Sequence, residues 1–171
     1  MAGRKGKTPI VSTRIYNPKT LAWAKIRNNI LEIEAKAFPQ YDPQEKVLAT
    51  DFTNHNNLVI LLRNLKGRVI GYAYAEPIGQ ISPKRKQEKD TAYVTSVAIH
   101  PRFQGKGLVS NIHRSLERNL KRRGFAFFEG DVINEGYIKT LTRVYADRIV
   151  RKRRSNNKKD GATSFIRVRL D

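Results

Sequence analysis

The chain contains no cysteine among its 171 residues, which excludes disulfides, thiolate metal sites and cysteine nucleophiles. Its three histidines, His55, His100 and His113, follow no metal-ligand spacing, so we expect no bound metal. The longest apolar run, Leu58 to Leu62, is far too short to cross a bilayer, and no apolar signal segment follows the N-terminus. We therefore expect a cytoplasmic protein without a membrane partner.

Acidic residues are also scarce. The chain has 15 Asp and Glu against 34 Lys and Arg, a formal net charge of +19. A surplus of this size predicts attraction to nucleic acid or another polyanion. Residues 1–14 are interpreted as a basic arm, either a solubilising tail or a nucleic-acid contact, and residues 15–171 as a single domain.

The stretch from Tyr93 to Leu120 organises the rest of the chain. Its β-branched and apolar start predicts a buried strand that ends at His100-Pro101. A glycine-rich turn follows, and from Leu108 the apolar residues recur every four positions, as in a helix. A strand, a glycine turn and a helix N-terminus together predict an anion site, with a phosphate or pyrophosphate as the expected ligand. The glycine spacing matches neither a P-loop nor a dinucleotide-binding fingerprint.

The same stretch resembles the central motif of the GNAT superfamily of N-acetyltransferases. The resemblance lies in the strand end Val97-Ala98-Ile99-His100-Pro101 and in the turn that follows, Gln104-Gly105-Lys106-Gly107-Leu108-Val109. It implies an α/β (α+β) GNAT fold with a mixed sheet of six or seven strands, splayed central strands and about four helices. It also implies that acetyl-CoA binds here. Val109 departs from the pattern, which has a small residue at that position.

The resemblance assigns cofactor contacts to particular residues. Backbone N–H groups of Gln104, Gly105, Lys106, Gly107, Leu108 and Val109 would hold the diphosphate of acetyl-CoA. The main chain of Val97, Ala98 and Ile99 would pair with the pantetheine arm, and the Val97 N–H would polarise the acetyl carbonyl. Asn134 matches a further position of the family pattern.

The elements around this motif follow from capping residues and periodicity. We predict a helix from Asn17-Pro18 to about Ala37 and a second helix, capped by Asp42, to about Asp51. The later elements are a hairpin of Leu58–Arg63 and Arg68–Pro77, a solvated charged loop Ile81–Asp90, a strand Phe125–Val132, a helix from Glu135 to about Ile149, and a hairpin of Arg148–Arg154 and Thr163–Leu170.

The catalytic candidates also come from the family pattern, in which a strand ending in Glu precedes an Asn and, seven residues later, a Tyr. Glu129 and Asn134 match, but the tyrosine position falls on Leu141. Tyr137 and Tyr145 lie one helical turn before and after it on the same face, so either is a candidate general acid. Glu129 is the candidate base, the alternative being an arginine-paired strand carboxylate. Weaker candidates are Glu76 and Asp131.

These features predict an acetyl-CoA-dependent N-acetyltransferase that acetylates a primary amine. Because the positive surplus repels cations, an acceptor on an acidic or nucleic-acid-linked substrate is favoured. A charged tRNA, acetylated in the manner of a toxin, is one such acceptor. The alternative is a catalytically weakened GNAT-fold module that binds nucleic acid or ribonucleoprotein through the basic helix face and the Arg151–Arg154 cluster.

Overall fold

The computed structural model describes residues 11–154 and 164–171, and within them one seven-stranded sheet and five α-helices. The strands are β1 (Val11–Ile15), β2 (Leu58–Asn64), β3 (Val69–Pro77), β4 (Thr91–Ile99), β5 (Phe127–Val132), β6 (Ile149–Arg154) and β7 (Ser164–Arg169). The helices are α1 (Arg27–Ala37), α2 (Glu45–Thr53), α3 (Ile78–Ile81), α4 (Leu108–Arg122) and α5 (Glu135–Tyr145).

The strand order is β1-β2-β3-β4-β5-β7-β6, and every neighbouring pair is antiparallel except β4 and β5. That parallel pair is short, because its register covers only Thr91–Tyr93 against Phe127–Glu129. Beyond Tyr93 the described strands diverge. The predicted mixed sheet with splayed central strands is confirmed.

Two helical layers cover the sheet. The helices α1 and α2 pack on one face, where Ile30, Ile33 and Phe52 are buried with Tyr72 and Tyr74 of β3. The helices α4 and α5 pack on the other face, where Leu116, Leu120 and Leu141 belong to the largest apolar cluster. The leucine stripe predicted for α4 therefore faces the core, and the opening between β4 and β5 lies between the two layers.

The first predicted helix is wrong at its start. Asn17 does begin a turn, since its side chain accepts from the Lys19 N–H at 3.0 Å, but Ala22 is extended and interrupts the helix. A short 3₁₀ turn over Trp23–Lys25 follows, and α1 begins only at Arg27. The indole of Trp23 packs edge-on against Phe52 at 5.3 Å, a tertiary contact that accompanies this break.

Smaller differences concern the ends of other elements. Gln44 is the N-cap of α2 and Asp42 is not, while α5 ends at Tyr145, before a 3₁₀ turn over Ala146–Arg148. The β2–β3 and β6–β7 hairpins are confirmed, although the predicted turn of the second lies outside the described ranges.

Of the predicted basic arm, residues 11–14 lie in β1 and residues 1–10 are not described. Within the described segments, no helix is long and apolar enough to span a membrane.

Candidate active site

The turn between β4 and α4 presents backbone N–H groups. Gly105 and Gly107 have φ angles of +73° and +71°, a region that side chains rarely adopt, so both positions require glycine. Gly107 is the N-cap of α4 and no side chain caps this helix start. The turn residues 104–107 are exposed, so the first N–H groups of a 15-residue helix face an open turn. This geometry fits a bound diphosphate.

Among the described residues, the far end of β4 has an edge without a partner strand. The His100 N–H donates to the Ile70 carbonyl at 2.9 Å, which makes these two residues a hydrogen-bonded pair of the antiparallel β3–β4 ladder. Because such pairs alternate with non-bonded ones, Val97 and Ile99 direct their N–H and C=O groups away from β3 and toward the opening beside β5. Ala98 faces β3. An extended ligand can therefore pair with Val97 and Ile99.

Side chains hold the turn against the strand end. The Gln104 amide donates to the Ile99 carbonyl at 2.8 Å, and the His100 ring accepts from the Arg102 N–H at 3.2 Å. Leu108 is buried, and Val109 packs against the same apolar cluster. The Lys106 ammonium lies 5.5 Å from the centre of the Phe103 ring. These contacts fix the turn before any ligand arrives.

The two candidate tyrosines meet at one histidine. The Tyr137 hydroxyl lies 2.6 Å from His113 Nε2, and the Tyr145 hydroxyl lies 3.1 Å from His113 Nδ1. Burial lowers the pKa of His113 to about 4, so its ring is neutral at pH 7. Burial also raises the pKa values of both tyrosines, which keeps their hydroxyls protonated. Leu141, at the family tyrosine position, is a buried core residue with 2% exposure.

The two tyrosines differ in accessibility. Tyr145 is completely buried, with its ring against Phe128 and under the Arg148 guanidinium. Tyr137 is only partly buried and packs against the large apolar cluster that α4 and α5 form with the sheet. Asn134 caps α5, and its side-chain oxygen accepts from the Tyr137 N–H at 3.1 Å.

Glu129, the predicted base, is held by two guanidinium groups. Its carboxylate is 1% exposed and bonds Arg85 through both oxygens, and Arg167 lies 3.6 Å away. Both arginines also pair with Glu88. The charged segment Ile81–Asp90 is therefore not a simple solvated loop, since Arg85 fastens it to β5. Both oxygens of this carboxylate are therefore already bonded, which leaves few free lone pairs for an incoming amine or water.

A second carboxylate cluster lies on the α1/α2 face. The Tyr74 hydroxyl lies 3.2 Å from Asp51 Oδ2 and 3.0 Å from Glu76 Oε1, and the Thr95 hydroxyl donates to Glu76 at 2.7 Å. Thr95 sits at a register shift in the β3–β4 pairing, just beyond Tyr93, where β4 leaves β5. Burial raises the pKa of Asp51, and the charge of Glu76 adds to the effect. These four residues are called the acidic cluster below.

Two further carboxyl groups lie on β5 and on α1. The Asp131 carboxylate accepts a hydrogen bond from the Tyr93 hydroxyl at 2.7 Å across the β4–β5 junction. Burial raises the pKa of Glu34, on α1, to about 7. Sequence reasoning missed Glu34, Asp51 and His113 as site candidates. Their only signal was a polar residue beside an apolar helix stripe, which many surface positions share.

The sheet, the glycine turn and the unpaired β4 edge define a transferase that takes its acyl group from a CoA thioester. The family model described as "Acetyltransferase (GNAT) family" matches residues 23–143, so the chain belongs to that family. It is an acetyltransferase and acetyl-CoA is its acetyl donor, as predicted. No curated protein sequence matches it significantly.

Solved structures agree in fold. The chain is similar to the ribosomal-protein-S18-alanine N-acetyltransferase of Escherichia coli, at 17% identity and a TM-score of 0.66, with 95% of each chain covered. A GNAT family N-acetyltransferase of Escherichia coli in complex with CoA gives 16% identity and a TM-score of 0.65, over 99% of this chain and 86% of the other. A Salmonella typhimurium protein solved with acetyl-CoA gives 19% identity and a TM-score of 0.63, with 95% of each chain covered.

Proposed function

We propose that the protein transfers the acetyl group of acetyl-CoA to a primary amine carried on a nucleic acid. The observation that supports the transfer chemistry is the opening beside β4, where Val97 directs its backbone N–H and C=O, and Ile99 its N–H, away from β3 beyond the end of the β4–β5 pairing. The observation that supports a nucleic acid as the acceptor is a basic face on α4 that has no acidic partner among the described residues.

The chemistry needs three groups. The amine nitrogen attacks the acetyl carbon, a C–N bond forms and the C–S bond breaks. The Val97 N–H stabilises the oxyanion, Glu76 of the acidic cluster takes the proton that the amine loses, and Tyr137 gives its proton to the departing thiolate. Tyr137 is preferred over Tyr145 because only Tyr137 is partly exposed. Glu76 is preferred over Glu129 because Glu129 is engaged by Arg85 and Arg167.

The basic face of α4 is the surface proposed for the nucleic acid. It comprises Arg114, Arg118, Lys121 and Arg122, all exposed, and within the part of the chain that the structure describes none has a carboxylate within 4 Å. The one acidic residue of α4, Glu117, is already paired with Arg148 at 2.6 Å. A groove of about 230 Å³ between α4 and β1 is lined by Arg114 and Arg118. Phosphate groups are the natural counterions of such a face.

The end of this basic face is hydrogen-bonded to the segment that follows α2. Arg123, just past α4, donates to the carbonyls of Asn56 and Asn57 at 3.1 and 3.0 Å. The Asn57 amide in turn donates to the Asp51 carbonyl at 3.0 Å. A polyanion lying along α4 would thus reach the segment that joins α2 to β2, and α2 carries Asp51 of the acidic cluster.

One observation favours the alternative of a binding module with weakened catalysis. The family tyrosine position is Leu141, which is buried in the core and has no proton to give. In that case the basic face would bind nucleic acid and no acetyl transfer would follow.

The test measures binding and turnover together. Affinity for an RNA that carries a primary amine is measured at several salt concentrations, and thiol release from acetyl-CoA is followed with the same RNA. We expect the affinity to fall steeply with salt, and the double variant Arg114→Gln/Arg118→Gln to lower the salt slope by about two. The matched control is Lys19→Gln/Lys25→Gln, which removes two exposed charges elsewhere. Binding without thiol release would favour the module, and equal effects of both double variants would contradict the α4 surface.

A further inference from the structure

His113 is a buried polar residue that the acetyl transfer scheme above does not use. It lies on α4, is 1% exposed, and is enclosed by the rings of Phe128, Tyr137 and Tyr145 at centroid distances of 6.1, 5.6 and 5.6 Å. Both of its ring nitrogens are within hydrogen-bond distance of a tyrosine hydroxyl. A buried histidine bonded on both sides has a defined arrangement of protons.

The protons in the hydrogen-bonded series Tyr137–His113–Tyr145 can be arranged in two ways. A neutral imidazole donates from one nitrogen and accepts at the other. If Nδ1 carries the proton, Nε2 accepts from Tyr137, and the Tyr137 proton is used inside the core. If Nε2 carries the proton, it donates to the Tyr137 oxygen, and the Tyr137 proton can be directed elsewhere. The Tyr145 hydroxyl then donates to Nδ1.

We propose that His113 is a positioning residue that carries its proton on Nε2, donates it to the Tyr137 hydroxyl oxygen, and so directs the Tyr137 proton toward the thioester sulfur. In this tautomer Tyr145 donates to Nδ1, so both ring nitrogens are hydrogen-bonded. The arrangement makes Tyr137 competent as an acid although the family tyrosine position is Leu141. After Tyr137 has given its proton to the sulfur, the Nε2–H bond stabilises the tyrosinate until solvent restores the proton. This inference rests on the proposed role of Tyr137 in the reaction.

The first test reads the tautomer directly, without acetyl-CoA. Long-range ¹H–¹⁵N correlation spectra of the protein with ¹⁵N-labelled histidine distinguish a protonated Nε2 from a protonated Nδ1. We expect the Nε2–H tautomer in the wild type, and a loss of this preference in Tyr145→Phe. An Nδ1–H tautomer in the wild type would overturn the proposal, because Tyr137 would then be the donor to His113.

The second test separates positioning from packing. Gln places an amide N–H close to the position of His Nε2, whereas Leu has no donor, so His113→Gln keeps the bond to Tyr137 and His113→Leu removes it. We expect kcat to fall about 100-fold in Tyr137→Phe and at least about tenfold in His113→Leu, with the KM for acetyl-CoA changed less than about twofold. His113→Gln should recover most of the kcat, and the Tyr137→Phe/His113→Leu double variant should lose no more than Tyr137→Phe alone.

The structural control is Asn119→Ala on the same helix. The Asn119 amide is buried and donates to the Ser115 carbonyl at 2.7 Å, so its removal disturbs α4 without touching the tyrosines. A fall in kcat in Asn119→Ala equal to that in His113→Leu, at matched stability, would reduce His113 to a packing residue and overturn the proposal. So would full kcat in His113→Leu.

Failure of the inference is distinguishable from failure of the proposed function. If the wild type releases thiol and Tyr137→Phe retains its kcat, Tyr137 is not the acid. That result would contradict the proposed role of His113 but would still support acetyl transfer. If the wild type releases no thiol with amine-bearing RNA although the tautomer is as expected, the proposed function fails, and the positioning role falls with it.

Discussion

Glu76 and Glu129 have the same side chain but different surroundings. Glu129 is almost completely buried between Arg85 and Arg167, whereas Glu76 is partly exposed and lies within hydrogen-bond distance of the hydroxyl groups of Tyr74 and Thr95. Both oxygens of Glu129 are bonded by a guanidinium group, whereas the hydroxyl partners of Glu76 are neutral. The roles of the two residues therefore follow from their partners and not from their residue type.

Glu129→Gln tests this distinction. Removing the charge leaves Arg85 and Arg167 without their buried partner, so we expect the free energy of unfolding to fall by about 2 kcal/mol. Chemical denaturation of the variant and the wild type measures the difference. Unchanged stability together with a large loss of kcat would instead restore the base role that the sequence predicts for Glu129.

The stability of the protein should depend on pH through His113. Its pKa is lowered to about 4 in the folded protein from an ordinary value of 6.5, so the unfolded chain binds the proton more readily between these values. Stability is therefore fully present above pH 6.5 and is lost as the pH falls toward 4, by about 3 kcal/mol in total.

His113→Gln isolates this contribution. Glu34 has its pKa raised to about 7, so it produces the opposite trend, and only the difference between the variant and the wild type removes it. We expect that difference in unfolding free energy to shrink as the pH falls from 6.5 to 4. A difference independent of pH would show that His113 is not held neutral by burial.

The sequence indicates Tyr137 and Tyr145 as candidate acids, but it does not indicate the residue that bonds them. Tyr137 and Tyr145 were identified from their positions around Leu141, one helical turn on either side. The pairing of both with His113 depends on how α4 packs against α5, which no local pattern encodes. The pairing of Glu129 with Arg85 also joins distant parts of the chain.

At the scale of elements, β4, the glycine turn and α4 could be predicted almost completely. The change from strand to helical periodicity is local, and Pro101, Gly105 and Gly107 mark the turn by their own backbone preferences. The predicted start of α1 is wrong because a tertiary contact overrides the local preference. Asn17-Pro18 is a strong local helix signal, but Trp23 packs against Phe52 and the chain is extended at Ala22.

Gly107→Ala tests the turn, with Gly67→Ala as its control. Both glycines have a positive φ, +71° and +76°, and an added Cβ would meet no atom within 4 Å in either case. Each substitution should therefore cost about 1 kcal/mol of stability from backbone strain. Only Gly107→Ala should weaken acetyl-CoA binding, by about tenfold or more, because we propose that this turn and not the Gly67 turn holds the diphosphate. Equal affinities in the two variants, measured by calorimetry, would argue against this placement.

The whole molecule combines a strong positive charge with a local acidic cluster. The net charge of +19 attracts polyanions from a distance, while Asp51 and Glu76 provide negative charge close to the proposed reaction centre. The sequence showed the global surplus but not the cluster, because its carboxylates come from α2 and β3 and meet only in the fold. A nucleic acid that carries an amine would complement both features, since its phosphates are attracted by the positive surface and its amine by the carboxylates.

The proposed function depends on the turn from Gln104 to Val109 holding the diphosphate of acetyl-CoA. Calorimetric titration of the wild type with acetyl-CoA, acetyl-dephospho-CoA and S-acetylpantetheine measures this dependence. We expect acetyl-CoA and acetyl-dephospho-CoA to bind with similar affinity, since both carry the diphosphate. S-acetylpantetheine, which lacks the diphosphate, should bind at least about 100-fold more weakly. Equal binding of all three ligands, or no binding of acetyl-CoA at millimolar concentration, would show that this turn does not hold the diphosphate.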